Sequence, residues 1–140
     1  MKNPISLRDI LHTQNRIRSS LRRTPTTVST TLSSRMGCKI HLKLEHQQIT
    51  GSFKLRGALN AVRMLSEEQR QRGVVGVSTG NYGRALAYSA ALHGVKCIIC
   101  MSSLVPQNKV QGVKDAGGEV RVVGKSQDEA QLEVDRLIEE

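Results

Sequence analysis

Tryptophan is absent from this 140-residue chain, and its aromatic complement is one phenylalanine and two tyrosines. Proteins that hold single-stranded nucleic acid stack its bases on aromatic faces, so that function is poorly supplied here. Long apolar runs are lacking too. The longest, Val95 to Met101, has the length of a strand, far below the roughly 20 residues of a membrane-spanning helix. Neither a nucleic-acid nor a membrane partner is expected.

Cysteine is sparse, with Cys38, Cys97 and Cys100 only. No signal-peptide pattern accompanies them, and such usage suits a reducing cytoplasm. Cys97-Ile-Ile-Cys100 has the spacing of a redox or zinc pair, but it lies in a segment that reads as a buried strand. Side chains three apart on a strand point to opposite faces, no second ligand pair follows, and His12, His41, His46 and His93 are scattered. The cysteines are expected to be core residues, and no metal site is expected.

Acidic residues are outnumbered, 12 against 21 basic ones, for a net charge of +9. The excess is concentrated in residues 1–35, which hold Lys2, Arg8, Arg16, Arg18, Arg22, Arg23 and Arg35 against Asp9 alone. An Arg- and Ser-rich, acid-poor start has the composition of a transit peptide. It also reads as a folded element: Ser6 can cap a helix whose apolar positions are Leu7, Ile10, Leu11, Ile17 and Leu21.

After an extended entry at Arg23-Thr-Pro-Thr-Thr27, the alternation in Lys39–Glu45 predicts a half-buried strand. A helix with Ala58, Leu59, Ala61, Val62 and Leu65 on one side follows. From Gly73 the rhythm is regular. Strand Val74–Ser78, a glycine-bearing loop from Thr79 to Gly83, and helix Arg84–His93 closed by Gly94 come first. Strand Val95–Met101, helix Asn108–Ala116, strand Glu119–Gly124 and a last helix opened by Ser126-Gln-Asp-Glu129 complete the series. Strand and helix alternate three times through short loops, which requires a parallel sheet covered by helices. Such sheets bind ligands at the carboxyl ends of their strands, where Thr79-Gly80-Asn81-Tyr82-Gly83 lies. Gly80-Asn-Tyr-Gly83 is no dinucleotide fingerprint. Gly118 to Ser126 mimics a P-loop but has five residues between its glycines, and those residues form a strand.

One lysine stands out by its surroundings: Glu45-His-Gln-Gln-Ile-Thr50-Gly51-Ser52-Phe53-Lys54-Leu55-Arg56-Gly57-Ala58. An acid and a short polar spacer lead into Thr-Gly-Ser-Phe-Lys-x-Arg-Gly-Ala. Lys54 falls at the start of the helical pattern, with Ser52 placed to cap it. The positive end of the helix dipole disfavours an ammonium, and imine chemistry needs the free amine.

The segment resembles the pyridoxal-phosphate attachment segment of the serine/threonine dehydratases, where the lysine holds the cofactor as a Schiff base. Ser78-Thr79-Gly80-Asn81-Tyr82-Gly83 follows at the spacing seen in that family and is similar to its Ser-x-Gly-Asn-x-Gly loop. Carried over by position, the resemblance implies that Lys54 bears pyridoxal 5'-phosphate and that Phe53 packs against its ring. Asn81 would hydrogen-bond the ring oxygen, and Ser78, Thr79, Gly80, Asn81 and Tyr82 would hold the substrate carboxylate. Many members carry His where Tyr82 stands, so side-chain details there do not transfer.

The implied fold class is α/β, a fold-type-II enzyme of the tryptophan-synthase-β-like group with a parallel three-layer α/β/α small domain. Residues 48–140 would be the start of that domain, and residues 1–47 the opening segment of a larger one. The implied activity is that of an ammonia-lyase acting on a small β-hydroxy amino acid such as L-threonine or L-serine, in a homodimer or tetramer when full length. Racemisation shares the first steps, and a truncated non-catalytic relative is the alternative from another class. Ser78–Tyr88, Met101–Val110 and Ser126–Leu137 are similar to the hydroxyectoine-utilisation dehydratases. The family's phosphate-binding glycine loop and its partner for the pyridine nitrogen lie further downstream than residue 140. The 140 residues alone are therefore expected to be inactive, with Leu11, Ile17, Leu42 and Leu44 under-buried.

Overall fold

The computed structural model describes residues 5–139; Lys2 of the basic start and Glu140 at the end of the last helical pattern lie outside them. Helix α1 (Leu7–Ile17) opens as its sequence predicts: the Ser6 hydroxyl accepts from the Asp9 N–H, and the Asp9 carboxylate accepts from the Ser6 N–H. This reciprocal box satisfies two of the donors that a helix start leaves open. An exposed arm follows. Strand β1 (Thr26–Val28) pairs antiparallel with β2 (His41–Lys43), Thr27 opposite Leu42, with helix α2 (Thr30–Met36) between them. The Lys39–Glu45 strand is thus shorter than its alternation suggests, and all three of its paired residues are exposed.

Helices α3 (Lys54–Arg63) and α4 (Glu67–Arg72) lead into the regular part of the fold. Strands β3 (Val74–Val77), β4 (Cys97–Met101) and β5 (Glu119–Val122) form a parallel sheet in that order. Helices α5 (Asn81–Leu92), α6 (Gln107–Asp115) and α7 (Gln127–Glu139) connect and close it. One core lies between the sheet and α3, α5 and α6, built from Val62, Leu86, Ala90, Ile99, Met101 and Val113. The other lies under α7, built from Ile98, Cys100, Ala130 and Val134. This is the three-layer α/β/α arrangement that strand–helix alternation requires.

Cys97 faces the first core and Cys100 the second, as strand geometry demands. Burial pushes the Cys97 thiol up to about 12, so it is an inert packing group. Among the described residues, no three His, Cys, Asp or Glu side chains converge on a metal-sized site. No described helix is long and apolar enough to cross a membrane.

Three local expectations need correcting. Helix α5 starts at Asn81, three residues before Arg84, so Asn81, Tyr82 and Gly83 form its first turn instead of a loop. Ile17 is buried, packed with Leu55, Ala58, Leu59 and Ala85. Leu11 and Leu42 do remain exposed, and Leu44 is half-buried. Ser52 does not cap α3: the residue before the helix is Phe53, which has no side-chain cap. At the other end of the chain, the Ser126 hydroxyl accepts from the Glu129 N–H, while the Glu129 carboxylate reaches back to the Lys125 N–H.

Leu59 is fully buried in the cluster that joins α1, α3 and α5. Replacing it by alanine is expected to destabilise the protein by about 2–5 kcal/mol. The check is the midpoint of urea unfolding followed by circular dichroism.

Candidate cofactor site

Lys54 and Asn81 are brought together by the packing of α3 on α5. Leu55, Ala58 and Leu59 of α3 share a cluster with Ala85, and Val62, further along, joins Leu86, Ala87 and Ala90. The two helices therefore run in the same direction, and their first residues, Lys54 and Asn81, lie at one end of the pair. That is also the end where β3 finishes at Val77, the carboxyl edge at which parallel sheets bind ligands.

The α5 turn is built from the main chain. Ser78, buried just past β3, accepts two backbone hydrogen bonds on its hydroxyl, from Gly83 at 2.9 Å and from Gly80 at 3.3 Å. A Cβ at Gly83 would lie 3.1 Å from both Ile99 Cγ2 and Ser78 Cβ, so a larger residue would press on both side chains where the turn closes on the sheet. Ser78 thereby holds the turn through its acceptor side, and its O–H donates to no described residue. The N–H groups of Asn81 and Tyr82 have no partner among the described residues, and nor do the side chains of Thr79, Asn81 and Tyr82. Open N–H groups at a helix start form a ready anion site.

Lys54 is exposed and makes no ion pair among the described residues; its Nζ sits 5.0 Å from the Phe53 ring centroid. Phe53 is itself 58% exposed, an apolar face left open beside the amine. Just before it, the hydroxyls of Thr50 and Ser52 are buried without a hydrogen-bond partner, at about 1–3 kcal/mol each.

A clasp secures this turn. Arg56 donates from Nε and Nη2 to the two carboxylate oxygens of Glu45, at 2.8 and 2.7 Å. Thr24 donates its hydroxyl to the same carboxylate, and Lys43 Nζ donates to the Thr24 carbonyl. The Arg56 hydrogen bonds, helped by Thr24, hold the Glu45 carboxyl down to about 2, against its ordinary 4.5. Sequence reasoning saw in Glu45 only the acid that opens the motif, and in Gln48 only a spacer. The structure buries Gln48 and gives its side-chain amide three hydrogen bonds. No local pattern signals either role, because Arg56 and Thr24 on Glu45, and Arg22 on Gln48, are 11 to 26 positions away in sequence.

The Lys54 amino group, an aromatic face, an unpartnered amide and an open helix start lie at one end of the helix pair, and these residues fit pyridoxal phosphate. A cavity of about 770 Å³ lies elsewhere, lined among others by Gly73, Val74, Lys96 and Leu137 at the opposite end of β3, and includes neither Lys54 nor Asn81.

Comparison with known proteins agrees. The sequence profile of the pyridoxal-phosphate dependent enzymes matches residues 17–140, and the chain belongs to that family. A protein of Sinorhizobium fredii, named provisionally as a threonine dehydratase, is 52% identical over 136 residues, covering 97% of this chain and 41% of the relative. The L-threonine ammonia-lyase of Thermotoga maritima is 40% identical over 126 residues, covering 90% of this chain and 31% of that protein. Maize serine racemase superposes with a TM-score of 0.91 at 34% identity, over 98% of this chain and 42% of its own. Threonine deaminase isoform 2 of Solanum lycopersicum gives 0.82 at 30% identity, over 99% and 40%. The chain thus spans between 31% and 41% of the length of the curated relatives quoted.

The Glu45 clasp carries a pH dependence. Because the carboxyl is depressed in the folded state, its contribution is fully present above about 4.5 and is lost as pH falls towards about 2. Glu45→Gln is expected to cost about 1–2 kcal/mol at pH 7, a value reduced for the partly open guanidinium. The difference from wild type should vanish near pH 2, as read from thermal melts across pH.

Proposed function

We propose that this chain is the cofactor-lysine part of a pyridoxal-phosphate-dependent ammonia-lyase, which removes water and ammonia from a β-hydroxy α-amino acid to give a 2-oxo acid. The observation that carries the reading is Lys54 exposed at the start of α3, at the same end as the open first turn of α5. When bound, pyridoxal phosphate supplies the electron sink for charge developing at the substrate Cα. Lys54 holds the cofactor and, when its amine is free, takes the proton from Cα. The Asn81 amide donates towards the cofactor's ring oxygen. Thr79, Gly80, Asn81 and Tyr82 receive the substrate carboxylate, chiefly through the N–H groups of Asn81 and Tyr82. Ser78 keeps those groups aimed, and Phe53 packs against the cofactor ring.

The names of the sequence relatives favour L-threonine, with L-serine as the second substrate. Similarity of three stretches to hydroxyectoine-utilisation dehydratases adds a place in the breakdown of that solute. The same residues serve racemisation, and the likeness to maize serine racemase favours that as the second reading. We assign residues 48–140 to the smaller domain and residues 1–47 to the opening of a larger one, consistent with the exposed β1–α2–β2 arm. A homodimer or tetramer in the cytoplasm completes the proposal.

Borohydride reduction of the cofactor-loaded full-length enzyme, followed by peptide mapping, should place the pyridoxyl group on the peptide containing Ser52-Phe53-Lys54. A label mainly on Lys39, Lys43 or Lys125 would overturn the assignment. Asn81→Ala should retain cofactor with a changed absorbance and lose about ten- to a hundredfold in turnover, the equivalent of one charge-assisted hydrogen bond. Residues 1–140 alone should release 2-oxo acid from L-threonine at less than a tenth of the full-length rate.

A further inference from the structure

We propose that Gln48 is a positioning residue for Lys54, acting through a side-chain ladder to the backbone of Arg22. This rests on the cofactor role of Lys54 given above. Gln48 is 3% exposed. Its Oε1 accepts from the Arg22 N–H at 2.9 Å, and its Nε2 donates to the Arg22 carbonyl at 2.9 Å. The side-chain amide thus pairs with both main-chain groups of one residue, as the facing residue of a neighbouring strand would. Oε1 also accepts from the N–H of Ile49 at 3.0 Å, which ties the amide to the turn it precedes.

That turn determines where the lysine goes. The Gln48 carbonyl accepts from the Gly51 N–H at 2.8 Å, and Gly51 takes φ +77°, a left-handed conformation that glycine adopts without steric penalty. Only Ser52 and Phe53 remain before Lys54. Neither fixes the helix entry: α3 has no side-chain cap, and the Thr50 and Ser52 hydroxyls have no partner. The entry is held instead from outside, ahead by Arg56 on Glu45 and behind by Gln48 on Arg22. Arg22 strengthens the rear hold by donating its Nη1 to the Gln47 carbonyl at 3.0 Å. A helix whose first residue is the reactive one has no preceding turn to absorb an error. Loss of the rear hold therefore moves the Lys54 amine directly.

Gln48→Leu keeps the volume and removes all three side-chain hydrogen bonds. Gln48→Glu keeps the acceptor and removes the donor to the Arg22 carbonyl. Both are made in the full-length enzyme. The first readout is the rate and site of pyridoxal 5'-phosphate labelling after borohydride reduction, resolved by peptide. The second is the division of any kinetic loss between kcat and KM. For Gln48→Leu, the share of label on Lys54 should fall at least threefold, and kcat about ten- to a hundredfold with KM within twofold, the scale expected of a misplaced group. Gln48→Glu should show the same pattern more weakly, and it alone decides the matter if Gln48→Leu does not fold. A lowered melting temperature with labelling and kcat both at wild-type levels would make Gln48 a packing residue and overturn the proposal. If wild type itself is not labelled at Lys54, the failure lies with the cofactor assignment.

Discussion

The contact on which this site depends is the close approach of α3 and α5 through small residues. Ala58 and Ala85 are buried between them with Leu55 and Leu59. Their short side chains let two helices from different parts of the chain lie side by side. The packing is ordinary hydrophobic burial, yet it sets the chemistry, because both helices begin with the residues of interest. That packing puts the start of α3, with Lys54, at the same end as the open N–H groups of α5. The arrangement also explains why a lysine and an asparagine 27 positions apart can serve one ligand.

Around this contact the polar groups divide their tasks. Inside, Ser78 uses its hydroxyl to gather the first turn of α5, and Gly83 leaves room for that turn against Ile99. Outside, Glu45, Thr24, Arg56 and Gln48 join the arm to the start of α3. At the shared end of the helix pair, Lys54 makes no hydrogen bond or ion pair among the described residues, and the side chains of Thr79, Asn81 and Tyr82 have no partner there. A site with its supporting side chains engaged and its ligand-facing groups free is pre-organised, so binding need not first break internal bonds.

The sheet was legible because each strand–helix unit carries its own signals. Val74–Val77, Cys97–Met101 and Glu119–Val122 are short apolar or alternating runs, each followed by a glycine-, proline- or serine-bearing break and a helical pattern. Lys54 was expected at a helix start and is the first residue of α3, while Asn81, expected in a loop, is the first residue of α5. What escaped were features decided by distant partners. Ser52 has the composition of a cap, but tertiary packing buries its hydroxyl, and the helix starts a residue too late for that role. Ile17 looked orphaned because its neighbours are on α3. Helices α2 and α4 were missed although their signals stood in the sequence, Ser29 with Gly37 and Ser66 with Gln69. Seven and six residues long, they are too short for periodicity to show.

The first turn of α5 offers an anion main-chain N–H groups, and that has a consequence for how such a site diversifies. Charge recognition written in the backbone is indifferent to the side chains at Thr79 and Tyr82, which are exposed and unpartnered. Those two positions can vary, and the shape and polarity around the turn with them, while the main-chain N–H groups stay in place. Glycine at 83 and the hydroxyl at Ser78 have no such latitude. Variation in side-chain chemistry is thereby uncoupled from retention of a main-chain anion site, within a single helical turn.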